Sequence, residues 1–163
     1  MSRLSFLSPG AARAEDGFAP RQASPLARAL AGSRGLRDLS LLGKIEIRGG
    51  AVRDFAADVE VIPITPHRAL LLCEPERCAE LLAVESGLAV DMTGALAGVE
   101  LEGETLMRRL TDLDLSRLPA AGKVAGVTAI VTRAGHERFR LFFAQEYGHS
   151  VVEVVRDLQE GIG

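Results

Sequence analysis

The chain has 163 residues, a length that suits one domain with a single core. Its 19 basic and 22 acidic residues nearly cancel, so it offers no electrostatic footprint for nucleic acid or for an anionic membrane. No stretch reaches the roughly 18 apolar residues of a membrane span, and the first thirty residues lack the apolar core of a signal peptide, so we expect a cytoplasmic protein.

The amino-terminal region is rich in Ala, Gly, Pro and Ser without a sustained hydrophobic period. Such a segment buries too little apolar surface to offset its ordering entropy. We therefore expect residues 1–24 to form a flexible arm and residues 25–163 to form a single domain. A short helix is expected to start at Ser24, which suits a cap position, with Pro25 in the first turn, and to end at Gly32.

The first regular unit begins near residue 44. Residues 44–48 alternate charged and apolar side chains, which predicts a strand with one wet face that ends at Gly49. Helical spacing then predicts a helix, with its apolar side chains at Val52, Phe55, Ala56 and Val59. A second strand is predicted over residues 69–73. It should be followed by a helix that starts at Glu74 and whose apolar face is formed by Cys78, Leu81 and Leu82.

The same pattern returns further along the chain, with Gly103 standing 54 positions after Gly49. Residues 99–102 alternate in the same way, and the next predicted helix has its apolar stripe at Leu106, Met107 and Leu110. After a predicted turn over residues 119–122, strands are expected over 127–132 and 139–144. The apolar face of a final helix is formed by Val151, Val152, Val154, Val155 and Leu158.

This order of elements predicts an α+β fold made of duplicated, ferredoxin-like strand–helix units. The helices should pack on one face of a mixed or antiparallel sheet. A Rossmann arrangement is disfavoured, because no Gly-x-Gly-x-x-Gly sequence opens a helix after a strand.

No catalytic constellation is recognisable in the sequence. His67, His136 and His149 are far apart and have no carboxylate or thiol at ligand spacing, so we expect no metal site. On an extended segment Asp112 and Asp114 would point the same way and offer acid–base chemistry. Their place at a helix end instead favours hydrogen bonds to local backbone amides, so we assign no catalytic residue.

Two further sets of side chains have structural interpretations. Cys73 and Cys78 are five apart, and such a pair in a cytosolic protein is expected to be reduced core thiols. Charged residues of the two alternating strands are expected to face outward, namely Glu46, Arg48, Glu100 and Glu102. If these strands are neighbours, Arg48 can pair with a glutamate across the sheet.

Residues 38–49 read Asp-Leu-Ser-Leu-Leu-Gly-Lys-Ile-Glu-Ile-Arg-Gly and resemble the signature that opens the folate-binding glycine-cleavage T-protein (aminomethyltransferase) superfamily. In the second unit, residues 91–93 followed by 99–103 look similar, and residues 110–119 resemble the family's exit from a helix. The resemblance implies a glycine-cleavage T-protein-like domain.

Within that superfamily the chain is most similar to the gamma subunit of heterotetrameric sarcosine oxidase. Residues 24–26, Ser-Pro-Leu, match its opening, and residues 139–150 look like its last strand running into the terminal helix. A stretch common in that subunit, Gly-Pro-Asp-Glu-Trp-Leu, is replaced by residues 70–76, which implies a divergent member.

The resemblance implies a non-catalytic gamma-like subunit of a sarcosine oxidase or related N-methyl amine dehydrogenase. It would assist oxidative demethylation, in which one carbon passes to tetrahydrofolate. FAD, FMN, NAD and tetrahydrofolate are then expected on partner subunits rather than on this chain. The implied partners are a large flavoprotein alpha-like subunit and the other sarcosine oxidase subunits.

Two alternatives remain open from the sequence. The chain could be a stand-alone protein that binds tetrahydrofolate in a cleft between its two repeats, or a truncated aminomethyltransferase. The T-protein's catalytic aspartate has no counterpart here, because residues 127–135 contain no acidic side chain. This departure counts against aminomethyl transfer.

Overall fold

The computed structural model describes residues 23–49, 58–84 and 88–161, in which there are nine strands and three α-helices. The strands are β1 (Leu36–Asp38), β2 (Gly43–Arg48), β3 (Glu60–Thr65), β4 (Arg68–Cys73), β5 (Leu88–Asp91), β6 (Leu96–Glu102), β7 (Ala120–Val124), β8 (Val127–Arg133) and β9 (Arg138–Ala144). The helices are α1 (Cys78–Val84), α2 (Glu104–Leu110) and α3 (Gly148–Glu160). None of the described helices is long and apolar enough to cross a membrane.

The strands form two antiparallel sheets. One has five strands in the order β1-β6-β9-β8-β7, and the other has four in the order β3-β4-β2-β5. Strands β2, β4 and β3 of the four-stranded sheet correspond to β6, β9 and β8 of the five-stranded sheet. β4 and β9 each run through a 3₁₀ turn into a helix, α1 after β4 and α3 after β9. The predicted α+β fold of duplicated strand–helix units is confirmed.

The two repeats exchange their short edge strands. β1 precedes β2 in the chain but pairs with β6, while β5 precedes β6 but pairs with β2. The glycines that end the equivalent strands both have positive φ, +82° at Gly49 and +110° at Gly103. Such values favour glycine, which explains why the alternating pattern stops at the same point in each repeat.

The sheets pack face to face, and the helices cover their outer faces. Successive residues of a strand point to opposite faces of its sheet. Each sheet therefore buries side chains on one face against the other sheet and on the opposite face beneath helices. Between the sheets lies a cluster formed by Leu39, Ile62, Leu70, Leu72, Ile130 and Phe142. Helix α1 packs on the outer face of the four-stranded sheet, and α2 and α3 pack on the five-stranded sheet. The result is four layers, helix–sheet–sheet–helix.

An aspartate shapes the start of each repeat's first long strand. Asp38 Oδ1 accepts a hydrogen bond from the backbone N–H of Ser40 at 2.9 Å, and Asp91 Oδ1 accepts one from that of Thr93 at 2.8 Å. These turns are of the kind that Asp favours because its side chain reaches the amide two residues on. They coincide with the Asp-x-Ser and Asp-x-Thr positions of the sequence signature.

The hydroxyl that follows each aspartate bonds to the other repeat. Ser40 Oγ accepts from the backbone N–H of Gly98 on β6 at 3.2 Å, and Thr93 Oγ1 accepts from that of Lys44 on β2 at 3.0 Å. Because Lys44 and Gly98 hold equivalent positions, 54 apart, the two bonds are reciprocal. Each repeat thus fixes the register of the other.

Several predicted elements differ from the structure. Residues 25–32 form consecutive turns rather than an α-helix, although Gly32 does end them with φ of +77°. The predicted turn over residues 119–122 is largely occupied by β7. Of the predicted helix around residues 52–59, only Asp58 and Val59 are described; Asp58 lies in a turn, Val59 is buried, and neither is helical. The predicted arm, apart from residues 23 and 24, lies outside the described residues.

Candidate functional site

One candidate site is a cleft between the two sheets, which we call the inter-sheet cleft. It has a volume of about 310 Å³. Its walls are formed by both repeats, from Arg37, Leu39, Leu42, Asp58, Val59, Glu60, Leu72, Cys73, Glu74 and Arg140. Apolar side chains therefore line its floor, and charged side chains of both signs stand around it.

Arg140 is the central charged group of the inter-sheet cleft. Its Nε donates to Glu100 at 2.9 Å within the five-stranded sheet, and its Nη1 donates to Glu60 of the four-stranded sheet at 2.5 Å. Burial alone would lower the pKa of Arg140, but Glu100 and Glu60 outweigh it, and the pKa lies above its ordinary value. Arg140 is thus a fixed positive charge that links the two sheets.

The cleft offers binding rather than covalent chemistry. Its volume is at the lower end of the roughly 300–1,000 Å³ typical of ligand pockets. Among its described lining residues Cys73 is the one nucleophilic side chain, and burial, followed by its neighbour Cys78, raises the pKa of the Cys73 thiol to about 12. A thiol with such a pKa is protonated near neutral pH and is a poor nucleophile.

Both cysteines are buried and carry free thiols, as the sequence predicts, and their sulfurs lie 3.8 Å apart. Gly43 packs against them so closely that a Cβ at this position would overlap Cys78 Sγ and lie 2.9 Å from Cys73 Sγ. The pair therefore belongs to the packed interior between β2, β4 and α1.

Lys44 is fully buried, which the sequence analysis missed. Its Nζ donates to the backbone carbonyls of Ser40 and Leu42, each at 2.7 Å. Burial lowers the pKa of Lys44 to about 8, and nearby charges, that of Cys78 first, offset part of this effect. The alternating pattern marked this side of β2 as polar, but it gave no sign that a second sheet covers it.

The prediction that Glu46 and Glu100 face outward is wrong. Their exposed fractions are only 2% and 7%, because the polar face of each strand turns toward the other sheet. Burial raises the pKa of Glu46, but its hydrogen bonds and charge interactions with Arg68 and Arg48 outweigh this and hold it below its usual value. Glu100 is held by Arg140.

The condition for a cross-strand pair of Arg48, that β2 and β6 are neighbours, is not met. β2 and β6 belong to different sheets, so Arg48 has no access to a glutamate of the second repeat by strand pairing. It contacts Glu46 on its own strand instead. Arg48 and Glu102 themselves are exposed, as predicted.

The three histidines occupy separate exposed positions. His67 lies in the turn between β3 and β4, His149 lies in the first turn of α3, and His136 has its Nδ1 3.4 Å from Glu137. Within residues 23–49, 58–84 and 88–161, no three His, Cys, Asp or Glu side chains come together in a way that could hold a metal ion.

Asp112 and Asp114 lie between α2 and β7 and are both exposed. Asp114 Oδ1 accepts hydrogen bonds from Ser116 Oγ at 2.7 Å and from the Ser116 backbone N–H at 3.0 Å. These bonds hold the pKa of Asp114 below its usual value. The predicted local hydrogen bonding is confirmed for Asp114, which caps a 3₁₀ turn over Leu115–Arg117.

The segment that would hold the T-protein's aspartate is an ordinary strand here. Residues 127–133 form β8 between β7 and β9, and neither they nor residues 134 and 135 carry a carboxylate. Ala129 and Val131 of this strand are buried in the core beneath α2 and α3. The strand contributes packing and presents no acid or base.

No protein-family model matches the chain, and no curated protein matches its sequence. Among solved structures, the chain is similar to a chain of heterotetrameric sarcosine oxidase from Corynebacterium sp. U-96, determined in complex with pyrrole 2-carboxylate. The TM-score is 0.68 at 15% identity, and the match covers 83% of this chain and 93% of the other. The two chains therefore share a fold.

Two weaker matches are regulatory or kinase chains. The regulatory subunit of aspartate kinase from Thermus thermophilus, in its ligand-free form, gives a TM-score of 0.47 at 12% identity, covering 76% of this chain and 96% of the other. Aspartokinase alpha and beta subunits give 0.47 at 11% identity, covering 76% and 97%. At these scores the matches carry no argument about function.

Proposed function

We propose that this chain is a non-catalytic, gamma-like subunit of an assembly of the sarcosine oxidase type. In this role it assists the oxidative demethylation of sarcosine or a related N-methyl amine, whose methyl carbon passes to tetrahydrofolate. The observation that carries the proposal is the shared fold, which extends over 93% of the sarcosine oxidase chain. The sequence signature at residues 38–49 adds support, because its Asp38 shapes the turn at Ser40, whose hydroxyl bonds to Gly98 of the second repeat.

The chemistry of the described residues is consistent with a supporting role. Lys44 is enclosed by two carbonyls, and Cys73 is protonated near neutral pH. Arg140 and Glu60 bind each other. These groups stabilise a folded surface and are not poised to attack a substrate. In the proposal, FAD, FMN, NAD and tetrahydrofolate are bound by a large flavoprotein alpha-like subunit and its companions.

The test is affinity purification of the tagged chain from its native host, with mass spectrometry and an absorbance spectrum of the eluate. We expect a flavin-bearing chain to co-elute, and the eluate to show flavin absorbance and to oxidise sarcosine or a related N-methyl amine. The control is the tag expressed alone in the same host. A lone, colourless chain in the eluate would contradict the proposal.

A second candidate is a stand-alone tetrahydrofolate-binding protein, and the inter-sheet cleft favours it, since that cleft lies between the two repeats. Equilibrium dialysis of the purified chain against tetrahydrofolate tests this candidate. Binding should weaken in Arg37→Glu, which reverses a charge at the cleft. The control Arg34→Glu makes the same change at an exposed position outside the cleft and should bind as the unaltered chain does. Absence of binding in the unaltered chain would eliminate the candidate.

A further inference from the structure

The four-stranded sheet carries a compact surface group of five side chains, which we call the β5 patch: Glu46, Arg48, Arg68, Leu88 and Val90. In the strand register, Arg48 stands opposite Arg68 on β4 and opposite Leu88 on β5, while Glu46 stands opposite Val90. Side chains directly opposite each other in antiparallel strands point to the same face. The five side chains therefore form one surface.

The outer part of the β5 patch is exposed. Leu88 is 58% exposed and Val90 is 40% exposed, whereas aliphatic strand residues elsewhere in the described sheets are largely buried. The side chains of Arg48 and Arg68 are 55% and 40% exposed. Adjacent exposed aliphatic side chains with polar groups at their rim mark a candidate interaction site.

The charges of the patch do not balance. Arg68 donates to both oxygens of Glu46, at 3.0 and 2.8 Å, and Arg48 Nε contacts the same carboxylate. Two guanidinium groups thus share one buried carboxylate, which leaves one excess positive charge beside Leu88 and Val90. Guanidinium groups bind carboxylates with directed hydrogen bonds, so a partner with a carboxylate complements this surface.

The fold does not require an apolar group at this place. In the equivalent part of the five-stranded sheet, Arg37 stands opposite Glu100, just as Val90 stands opposite Glu46, and Glu102 stands opposite Arg138. With Arg140, which stands opposite Glu100 and binds both Glu100 and Glu60, that surface has three positive and three negative side chains and is charge-balanced. The exposed aliphatic pair is therefore particular to the first repeat's sheet.

β5 also has a free edge within the described residues, since β2 is its one strand neighbour. An edge strand presents unpaired backbone donors and acceptors, which natural proteins block with proline, bulges or charges. The opposite edge strand, β3, has such protection, because it contains Pro63 and a register shift between Pro63 and Thr65. Leu88 and Val90 give β5 no equivalent protection.

We propose that the β5 patch is the docking surface for an extended segment of a partner polypeptide, which adds as a strand to the free edge of β5. The segment has aliphatic side chains that cover Leu88 and Val90 and a carboxylate that binds Arg48. Strand addition of this kind draws affinity from backbone hydrogen bonds and specificity from alternate side chains. In identifying the partner as another subunit of the assembly, the inference rests on the proposed function.

The first test uses a defined probe and the full chain. A short, fluorescently labelled peptide of alternating Glu and Val is titrated with the protein, and binding is followed by fluorescence anisotropy. We expect it to bind at least about tenfold more tightly than a peptide of alternating Lys and Val, a difference of roughly 1.4 kcal/mol. Val90→Asp should weaken binding by a similar factor. Val154→Asp, at an exposed valine on α3, is the matched control and should bind as the unaltered chain does.

If Val90→Asp does not fold, the double variant Leu88→Thr and Val90→Thr replaces it, because threonine is β-branched and suits a strand. Equal binding of both peptides, or unchanged binding by the folded variants, would overturn the proposal. A dimer of the unaltered chain that Val90→Asp makes monomeric would also overturn it, since a second copy would then cover the patch. Sedimentation velocity measures this outcome.

The second test repeats the purification from the native host with Val90→Asp and Val154→Asp. Loss of the flavin-bearing chain in Val90→Asp alone supports the docking surface. If both variants retain that chain, the β5 patch is not the docking surface, although the proposed function stands. If the unaltered chain recovers no flavoprotein yet the acidic peptide binds at Val90, the proposed function fails while the docking surface stands.

Discussion

The two repeats share an order of strands but differ in what they bury. At the helix-covered positions of equivalent strands, the second repeat has two phenylalanines where the first has an alanine and a thiol; these are Phe139, Leu141 and Phe143 against Ala69, Leu71 and Cys73. The second repeat also has two helices over its sheet in the described residues, and the first has one short helix. The difference indicates that the two repeats have different structural roles. Among the described residues the second repeat supplies most of the core, and the first supplies the buried lysine, the thiols and the exposed β5 patch.

The largest expected effect tests this division of stability. Leu71 and Leu141 hold equivalent positions on β4 and β9 and are both fully buried. Leu141→Ala should lower the free energy of unfolding by about 3–5 kcal/mol and Leu71→Ala by about 2–3 kcal/mol, since a cavity costs more where the surroundings collapse less. Urea denaturation followed by circular dichroism measures both values.

The two variants control for each other, because the same side chain is removed in each. Equal losses would show that the smaller cluster beneath α1 is as tightly packed as the larger one. A greater loss for Leu71→Ala would reverse the comparison and place the more rigid core in the first repeat.

The next prediction concerns the reciprocal bonds between the repeats. Ser40→Ala should cost about 1–3 kcal/mol, because the Gly98 backbone N–H loses a buried hydrogen-bond acceptor. Thr93→Val should cost less, about 0.5–1.5 kcal/mol, because Thr93 is only half-buried and water can replace its hydroxyl at the Lys44 N–H.

Thermal or urea denaturation of the two single variants and of the double variant checks this prediction. Because the two bonds lie on opposite sheets but hold the same interface, we expect the double variant to differ from the sum of the single losses. Simple additivity, or a larger loss in Thr93→Val, would show that the two bonds are not energetically reciprocal.

The sequence predicted the elements with strong periodicity and missed those without it. β2 and β6 alternate clearly and end at glycines with positive φ, so their bounds were nearly right. β3 was missed because Pro63 interrupts it, and proline is tolerated there only at the edge of the sheet. β5 is too short to show a period, and its pairing depends on a strand far away in the chain.

The candidate sites could not be predicted, because their residues come from both repeats. The alternating pattern of a strand predicts one apolar face and one polar face, but it does not predict which part of the protein packs on the polar face. Glu46 and Glu100 therefore looked exposed, although each is buried against arginines from neighbouring strands. The inter-sheet cleft likewise depends on Arg140 reaching Glu60, which lies 80 residues earlier in the chain.

The last prediction isolates a group that the second repeat lacks, since Lys44 is replaced there by Gly98. The pKa of Lys44 is about 8 in the folded protein, against an ordinary value of 10.5. Between these values the unfolded chain binds the proton more tightly, so the free energy of unfolding should rise with pH across this window. Below pH 8 the ammonium is charged in both states, and its burial cost is present in full. In Lys44→Met this rise should be absent.

Urea denaturation at pH 7 and pH 9.5 measures the effect in both chains. Relative to Lys44→Met, the unaltered chain should gain about 1–2 kcal/mol over this interval, because a pKa difference of one unit is worth about 1.36 kcal/mol. Cys73, with its pKa raised to about 12, acts in the opposite direction above pH 9, since the unfolded thiol ionises first. That contribution is common to both chains and cancels in the comparison. If the free energy of unfolding changes equally with pH in the unaltered chain and in Lys44→Met, burial of the Lys44 ammonium does not affect stability, and it is not a difference between the repeats.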